Sequence, residues 1–342
     1  MVLDPRSLVR QSRRLSFLLV FILSSCGGFQ SVENLEKIKP PKDFEDIDIE
    51  TTQVPAPSEK EEAKEPTLIS KVKEILPKTI LPKKKSYFEE PHAIQRKNML
   101  IDKSPFRVGE KTTYKLTWFA IKAGEVTMEV HPFAYVNDRK AYHFLGSVKS
   151  SSVMDLIHSI DDWMESYVDT DTFYPFKAAL HGIETDRLRE GRTIFNYDKR
   201  KVSYWMKRVH VGKGTKEKQA TDKIFPGMVD IFSSAYYLRT LPLKVGKKYQ
   251  ADLYYEGKRY VVNAMVLGRE KLETEFGLID TIVVRPTAKF EGQMQTSGDT
   301  KIWFTDDDRR FLVQLETKVK IGYLMGKVKT IEDMEYVFPP KK

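Results

Sequence analysis

The chain is predicted to be mainly β: a curved antiparallel sheet or partly open β-barrel with two short helices, preceded by a disordered tether. Three observations carry that expectation. Short runs of alternating polar and apolar residues recur from about residue 113 onward, as in Glu125-Val-Thr-Met-Glu-Val130, and a period of two marks a half-buried strand. Polar or Gly-containing turns such as Asp198-Lys-Arg-Lys201 and Glu256-Gly257-Lys258 separate the runs. Strands do not alternate with long helical segments, which excludes a parallel nucleotide-binding sheet.

The N-terminus reads as an address. Arg6, Arg10, Arg13 and Arg14 precede the apolar run Leu15–Leu23, and Ser24-Ser25-Cys26 follows. A basic region, a short apolar region and small residues are the parts of a secretory signal. The run is too short for a bilayer, which needs ~20 apolar residues. Ser12-Arg13-Arg14 hints at a twin-arginine signal, but Phe17 falls one position late, so the ordinary secretory route is expected. Leu23-Ser24-Ser25-Cys26 resembles the bacterial lipobox, in which the cysteine becomes the first mature residue and carries diacylglycerol and a further acyl chain such as palmitate. Residues 1–25 are therefore expected to be a lipoprotein signal peptide, with Cys26 the lipid attachment and the membrane partner reached through it. Gly27 stands where inner-membrane lipoproteins resemble a pattern with Asp, which points to the outer membrane, facing the periplasm. Cys26 is the only cysteine, which excludes an intramolecular disulfide framework and any multi-cysteine metal site.

Residues 26–100 are expected to be a tether. The stretch holds 8 of the 17 prolines, no tryptophan, and charges in blocks, acidic at Asp43–Glu50 and basic at Lys83-Lys84-Lys85. Such a composition buries too little apolar surface to offset its ordering entropy. Leu68, Ile69, Val72, Ile75 and Leu76 recur at helical spacing, so one short docking helix is expected there.

Residues 101–342 are expected to form a single antiparallel β domain. Strands are predicted at 113–120, 125–130, 141–148, 163–168, 193–197, 202–206, 249–255 and 259–267, then near 278–290, 300–305, 311–320 and 326–338. Gly124, between two strands, suggests a positive φ or a close approach of strands. One helix is predicted over Ser152–Ile160 and a second over Ile231–Leu241, capped by Asp230 and ended by Pro242. Its apolar side, Ile231, Phe232, Ala235 and Leu238, is expected to lid or plug the concave face of the sheet. Gly212–Gln219 reads as a mobile polar loop.

At this point the pattern resembles a known family. Tyr114–Val130, Asp171-Thr-Phe-Tyr-Pro-Phe-Lys177, Asp230–Leu243 followed by Gly246, and Ile302–Arg310 are similar to the exported family catalogued as domain of unknown function 3108, over about residues 105–335. The resemblance implies a strongly curved antiparallel sheet similar to the Lol-type lipoprotein carriers. It implies no activity and no catalytic residues.

The chemistry of the residues leads the same way. No Gly-x-Ser-x-Gly elbow and no phosphate loop occur, and His143, His158, His181 and His210 fall in no metal-ligating spacing. Asp306-Asp307-Asp308 reads as a hairpin turn, because Asp bonds its own backbone. No catalytic residue, cofactor or metal is assigned. The mild basic excess that remains on residues 101–342, once the basic signal is set aside, suits anionic glycans, lipid headgroups or peptidoglycan acids, while export makes nucleic acid a poor partner. Phe 19, Tyr 16 and Trp 4 leave aromatic rings to line a concave sheet, with Trp118, Tyr204, Trp205, Phe232, Tyr236 and Tyr237 the candidates. The expectation is a non-catalytic envelope module that binds an apolar or amphipathic ligand, a lipid, a lipoprotein or a glycan. The alternatives are an assembly accessory docking on an envelope protein partner and a glycan-directed hydrolase.

Overall fold

The computed structural model describes residues 38–44, 49–51, 87–100, 104–290, 300–319, 321–333, 336 and 338. The signal peptide, Cys26 and the helix expected near 68–76 lie outside the described residues.

Among the described residues, sixteen strands form one sheet. They are β1 (Ile49–Thr51), β2 (Lys111–Trp118), β3 (Ile121–Val136), β4 (Arg139–Ser150), β5 (Ile160–Asp169), β6 (Pro175–Glu184), β7 (Arg187–Asn196) and β8 (Lys201–His210), then β9 (Gly214–Lys223), β10 (Val229–Asp230), β11 (Lys248–Tyr255), β12 (Lys258–Thr274), β13 (Gly277–Phe290), β14 (Thr300–Thr305), β15 (Leu312–Lys318) and β16 (Tyr323–Glu332). The sheet runs from β10 through β11 to β16, then β2 through β9, with β1 paired to β3 off this path. Among the described residues, only β10 and β11 pair in parallel. Three α-helices among the described residues accompany the sheet: α1 (Pro91–Leu100), α2 (Ser152–Asp155) and α3 (Ser233–Thr240).

Alternation builds the curved wall. In β2, Thr112, Tyr114 and Leu116 are buried while Lys111, Thr113 and Lys115 are not, as a period of two requires. Gly124 permits the close approach of β3 and β4: a Cβ there would fall 2.3 Å from the Lys149 carbonyl oxygen. The sheet does not close through its backbone, since β9 and β10 are its two ends. Side chains bridge the seam instead. The Tyr254 hydroxyl donates to Asp222 at 2.5 Å, and Arg208 pairs with Glu256.

The structure departs from the sequence expectations at several places. Residues 214–219, expected as loop, belong to the edge strand β9, which is paired along its length with β8. Most of its side chains are exposed, so it carries no hydrophobic period to read; the free ladder of β8 imposes the strand. The first helix is one turn, because residues from Ile160 join β5 and Leu156 and Ile157 stay in solvent. Pieces of the expected tether are seated on the domain. Phe44 is buried against Trp205, β1 extends the sheet beside β3, and Tyr87 and Ala93 are buried in the main apolar cluster. Arg96 of α1 donates to the Phe173 carbonyl at 3.2 Å and the Gly227 carbonyl at 2.6 Å. The folded unit therefore includes residues before 101. The four histidines each face an acid: His143 with Glu165, His158 with Glu184, His181 with Glu190 and His210 with Asp186.

Candidate functional site

Helix α3 lies inside the concave face, and three sets of contacts place it there. At its start the buried Asp230 carboxylate accepts from the amides of Phe232 and Ser233, both at 2.9 Å, and from the Ser166 and Ser233 hydroxyls at 2.7 and 2.5 Å. These bonds satisfy the helix's first free N–H groups. Burial raises the Asp230 pKa, and the same hydroxyls and amides pull it back. Along its length, Tyr236 stacks on Phe144 with ring centroids 3.9 Å apart, and its hydroxyl donates to the Glu129 carbonyl. Phe232 rests on Gly146, where a Cβ would fall 2.6 Å from the ring. At its end, Arg239 donates to both Glu110 oxygens at 2.5 and 3.0 Å and to the Pro105 carbonyl. Arg309 reaches the same carboxylate at 3.0 Å, and Arg310 donates to the Arg239 and Leu241 carbonyls. The Asp306–Asp308 run is the turn that aims these arginines: Asp307 Oδ1 accepts from the amides of Arg309 and Arg310 at 3.0 and 2.8 Å.

Two apolar cavities flank the helix. The first, of about 190 Å³, lies between α3 and the wall formed by Leu116, Met128, Met164 and Leu180, with Ile231 and Phe232 as its lid. Among the described residues, Asp162 is the one charged residue lining it. The second, of about 150 Å³, lies under Tyr237, Leu238 and Leu241 against β11–β15. Ala235, Leu312 and Leu315 line both.

Asp162 occupies an inward register position in β5, between Ile160 and Met164. It is 5% exposed, and its Oδ1 has no hydrogen-bond partner among the described residues. Oδ2 accepts from Arg189 at 2.5 Å, and the same guanidinium nitrogen lies 2.8 Å from Glu184. Burial pushes the Asp162 pKa up to about 6 despite Arg189. Glu184 is held below its usual value, because His158, Arg189 and Arg187 outweigh its burial. The pair thus divides into one fully ionised carboxylate and one that readily takes a proton.

Of the six aromatic candidates, Phe232 lines the first cavity and Tyr237 the second. Tyr236 is consumed by packing on Phe144. Tyr204 packs in the cluster of Tyr197, Val202 and Met206. Trp205 faces the other side of β8, covered by Phe44, with its indole N–H on Glu217. Trp118 sits at the end of β2, its indole N–H donating to the Ile321 carbonyl. Sequence reasoning missed Asp162 and the Glu110–Arg239 clamp. The first was readable as a charge at the parity of Ile160 and Met164; the second joins residues 129 apart and leaves no local signal. Among the described residues no group of three or more His, Cys, Asp or Glu side chains could hold a metal.

These features define a barrel-like antiparallel β protein with an internal helix between two apolar cavities. The chain belongs to the family of proteins of unknown function DUF3108, whose model matches residues 113–329. No curated protein matches it. Among solved structures it is similar to a β-barrel-like protein of domain of unknown function DUF1849 from Brucella abortus, at 10% identity and a TM-score of 0.44, covering 67% of this chain and 99% of that one. It is also similar to a protein of YmcC-like fold from Bacteroides fragilis, at 8% identity and a TM-score of 0.31, covering 67% and 98%.

Proposed function

We propose that this chain is a lipid-anchored envelope protein whose barrel interior binds an apolar or amphipathic chain alongside α3. The anchor is Cys26 of the lipobox-like Leu23–Cys26, and Gly27 favours the outer membrane facing the periplasm. The observation that supports binding is the pair of apolar cavities on either side of an internal helix. An apolar cavity of ~150 Å³ stays dry and accepts a benzene-sized guest, whereas sites for larger ligands run from ~300 Å³. Each cavity alone falls in the smaller class. A longer chain fits only if it passes Ala235, which lines both.

Native mass spectrometry and solvent extraction of the protein purified from its envelope test this reading. One bound acyl-chain lipid per protein is expected, together with saturable uptake of a fluorescent fatty acid. Ala235→Trp fills the junction and should abolish uptake while leaving the circular dichroism spectrum unchanged. An empty protein that takes up no probe, or full uptake by Ala235→Trp, overturns the reading.

A further inference from the structure

Exposed apolar side chains cluster at one end of the barrel. Of thirteen large ones exposed among the described residues, seven come from three segments there. Phe119 and Ile121 flank the β2–β3 turn. Val153 lies on α2, with Leu156 and Ile157 just after it. Ile321 and Tyr323 belong to the β15–β16 turn. Leu156 is 71% exposed and Ile157 62%. The three segments touch. The Trp118 indole donates to the Ile321 carbonyl at 2.8 Å, and Gly322 lies so near the Phe119 ring that a Cβ would fall 2.6 Å from it. The Ser151 amide and hydroxyl bond the Ala123 and Lys122 carbonyls at 3.0 and 2.6 Å. Phe119 and Ala120 have positive φ, 49° and 62°, as the two central residues of the tight β2–β3 turn require, and the turn leaves the Phe119 ring 58% exposed.

This end also lies over the first cavity. The lining residues Leu116, Ile160 and Gly326 are two or three positions from Trp118, Ile157 and Tyr323. The opposite end is covered by α1 and by the Glu110–Arg239 clamp.

We propose that the end bearing Phe119, Leu156 and Ile321 seats on the surface of a lipid bilayer. Contiguous exposed apolar patches mark interaction sites, and two observations favour a bilayer as the occupant. Trp118 and Tyr323, rings with an apolar body and a polar atom, stand at the rim, as such rings do at membrane interfaces. The second rests on the proposed anchor, which would keep the barrel as a whole near a membrane. Ile38, the first described residue, lies only twelve residues after Cys26, and Phe44 is seated on β8. Twelve residues span at most ~40 Å, little more than the ~33 Å length of a ten-residue strand, so an anchor at Cys26 holds the barrel close to the bilayer. Apolar contact carries this docking more than charge does, since Lys122 and Lys149 already face Glu125 and Asp161. The docking does not require a ligand in the interior.

The test uses the full chain with Cys26→Ser, which leaves no cysteine, and one new labelling position for an environment-sensitive dye. Leu156→Cys places the dye on the proposed face. Leu278→Cys, 67% exposed at the far end, is the control within the same chain. On vesicles of phosphatidylethanolamine and phosphatidylglycerol, the dye at 156 is expected to shift to the blue and to be quenched by nitroxide-bearing lipids, while the dye at 278 does neither. Phe119→Ser, Ile157→Ser and Ile321→Ser together should lower the quenching of the dye at 156 about tenfold, because each removes an apolar group from the contact. Equal response at 156 and 278, or none at 156, overturns the proposal. So does a blue shift at 156 that grows with protein concentration without vesicles, which would assign the face to a second copy of the chain. Fatty acid uptake by the same proteins without vesicles reports separately on the interior.

Discussion

Glu110 holds the C-terminal half of α3 in place, and its removal is the sharpest perturbation of the fold. The side chain is 3% exposed and receives two hydrogen bonds from Arg239 and one from Arg309. Arg309 keeps Asp333 and the Pro105 carbonyl as partners. Arg239, itself buried between Phe106 and Phe311, keeps only carbonyls. Glu110→Ala therefore strands one buried guanidinium without a counter-charge, a loss of about 3–5 kcal/mol. For a domain of this size, that is a fall of roughly 6–20 °C in the melting temperature. Arg239→Met, which keeps the apolar stem between the two rings, removes the other half of the pair. The double variant should lose about 1–3 kcal/mol less than the sum of the singles, since the second change removes a charge the first had stranded. Urea denaturation of the four proteins measures the cycle. Additive losses, or a Glu110→Ala cost under about 1 kcal/mol, would refute the view that this carboxylate pins the helix.

Three other outcomes follow from the same geometry. The native pKa of Asp162 stands at about 6, above the ordinary carboxylate value, so the folded state binds the proton more tightly than the unfolded one. Stability should fall as the pH rises through about 4 to 6; Asp162→Asn, which leaves Arg189 paired with Glu184, should be the more stable protein at pH 7.5 and match the wild type near pH 4, and a pH-independent difference in urea midpoints would contradict this. Gly124→Ala should cost more than Gly146→Ala, because the new methyl meets the Lys149 backbone in one case and the Phe232 ring in the other; overpacking costs of about 1–3 kcal/mol are expected at Gly146, read by thermal melts. A chain beginning at residue 101 should melt well below one beginning at residue 87, since it lacks Tyr87, Ala93 and Arg96, and equal melting temperatures would show that α1 adds nothing.

Much of the wall was legible because its period is set by burial. Thr112, Tyr114 and Leu116 alternate with Lys111, Thr113 and Lys115, and the same rule places most strands between β2 and β16. Asp230 was readable as the cap of α3 because its side chain bonds amides two and three positions on. The aromatic candidates were harder. Tyr204 and Trp205 are adjacent and must face opposite sides, yet both are buried, because Phe44 from a proline- and charge-rich segment covers the outer face. Composition over the whole segment hid the few aromatic side chains, Phe44, Tyr87 and Phe88, that seat parts of it. The edge strand β9 holds no large apolar residue, so its conformation is dictated by β8 and not by its own sequence.

The two ends of the barrel also differ in what would have to break for a chain-like ligand to enter. At the clamp end a passage must separate Arg239 and Arg309 from Glu110 and Arg310 from the carbonyls of α3, all charge-assisted bonds in a buried setting. At the other end, Leu116, Met154 and Leu324 pack together in an apolar cluster beside the first cavity, and such side chains can change rotamer without leaving an unpaired polar group. Entry is therefore expected beneath α2. Met154, 3% exposed, should act as part of the closure there. Met154→Ala should cost about 2–5 kcal/mol of stability and yet speed the uptake of a fluorescent fatty acid, measured by stopped flow, without changing the amount bound. Glu110→Gln should lower the melting temperature and leave the uptake rate alone. The reverse pattern, with faster uptake in Glu110→Gln and none in Met154→Ala, would place the entrance at the clamp and make α3 itself the moving part.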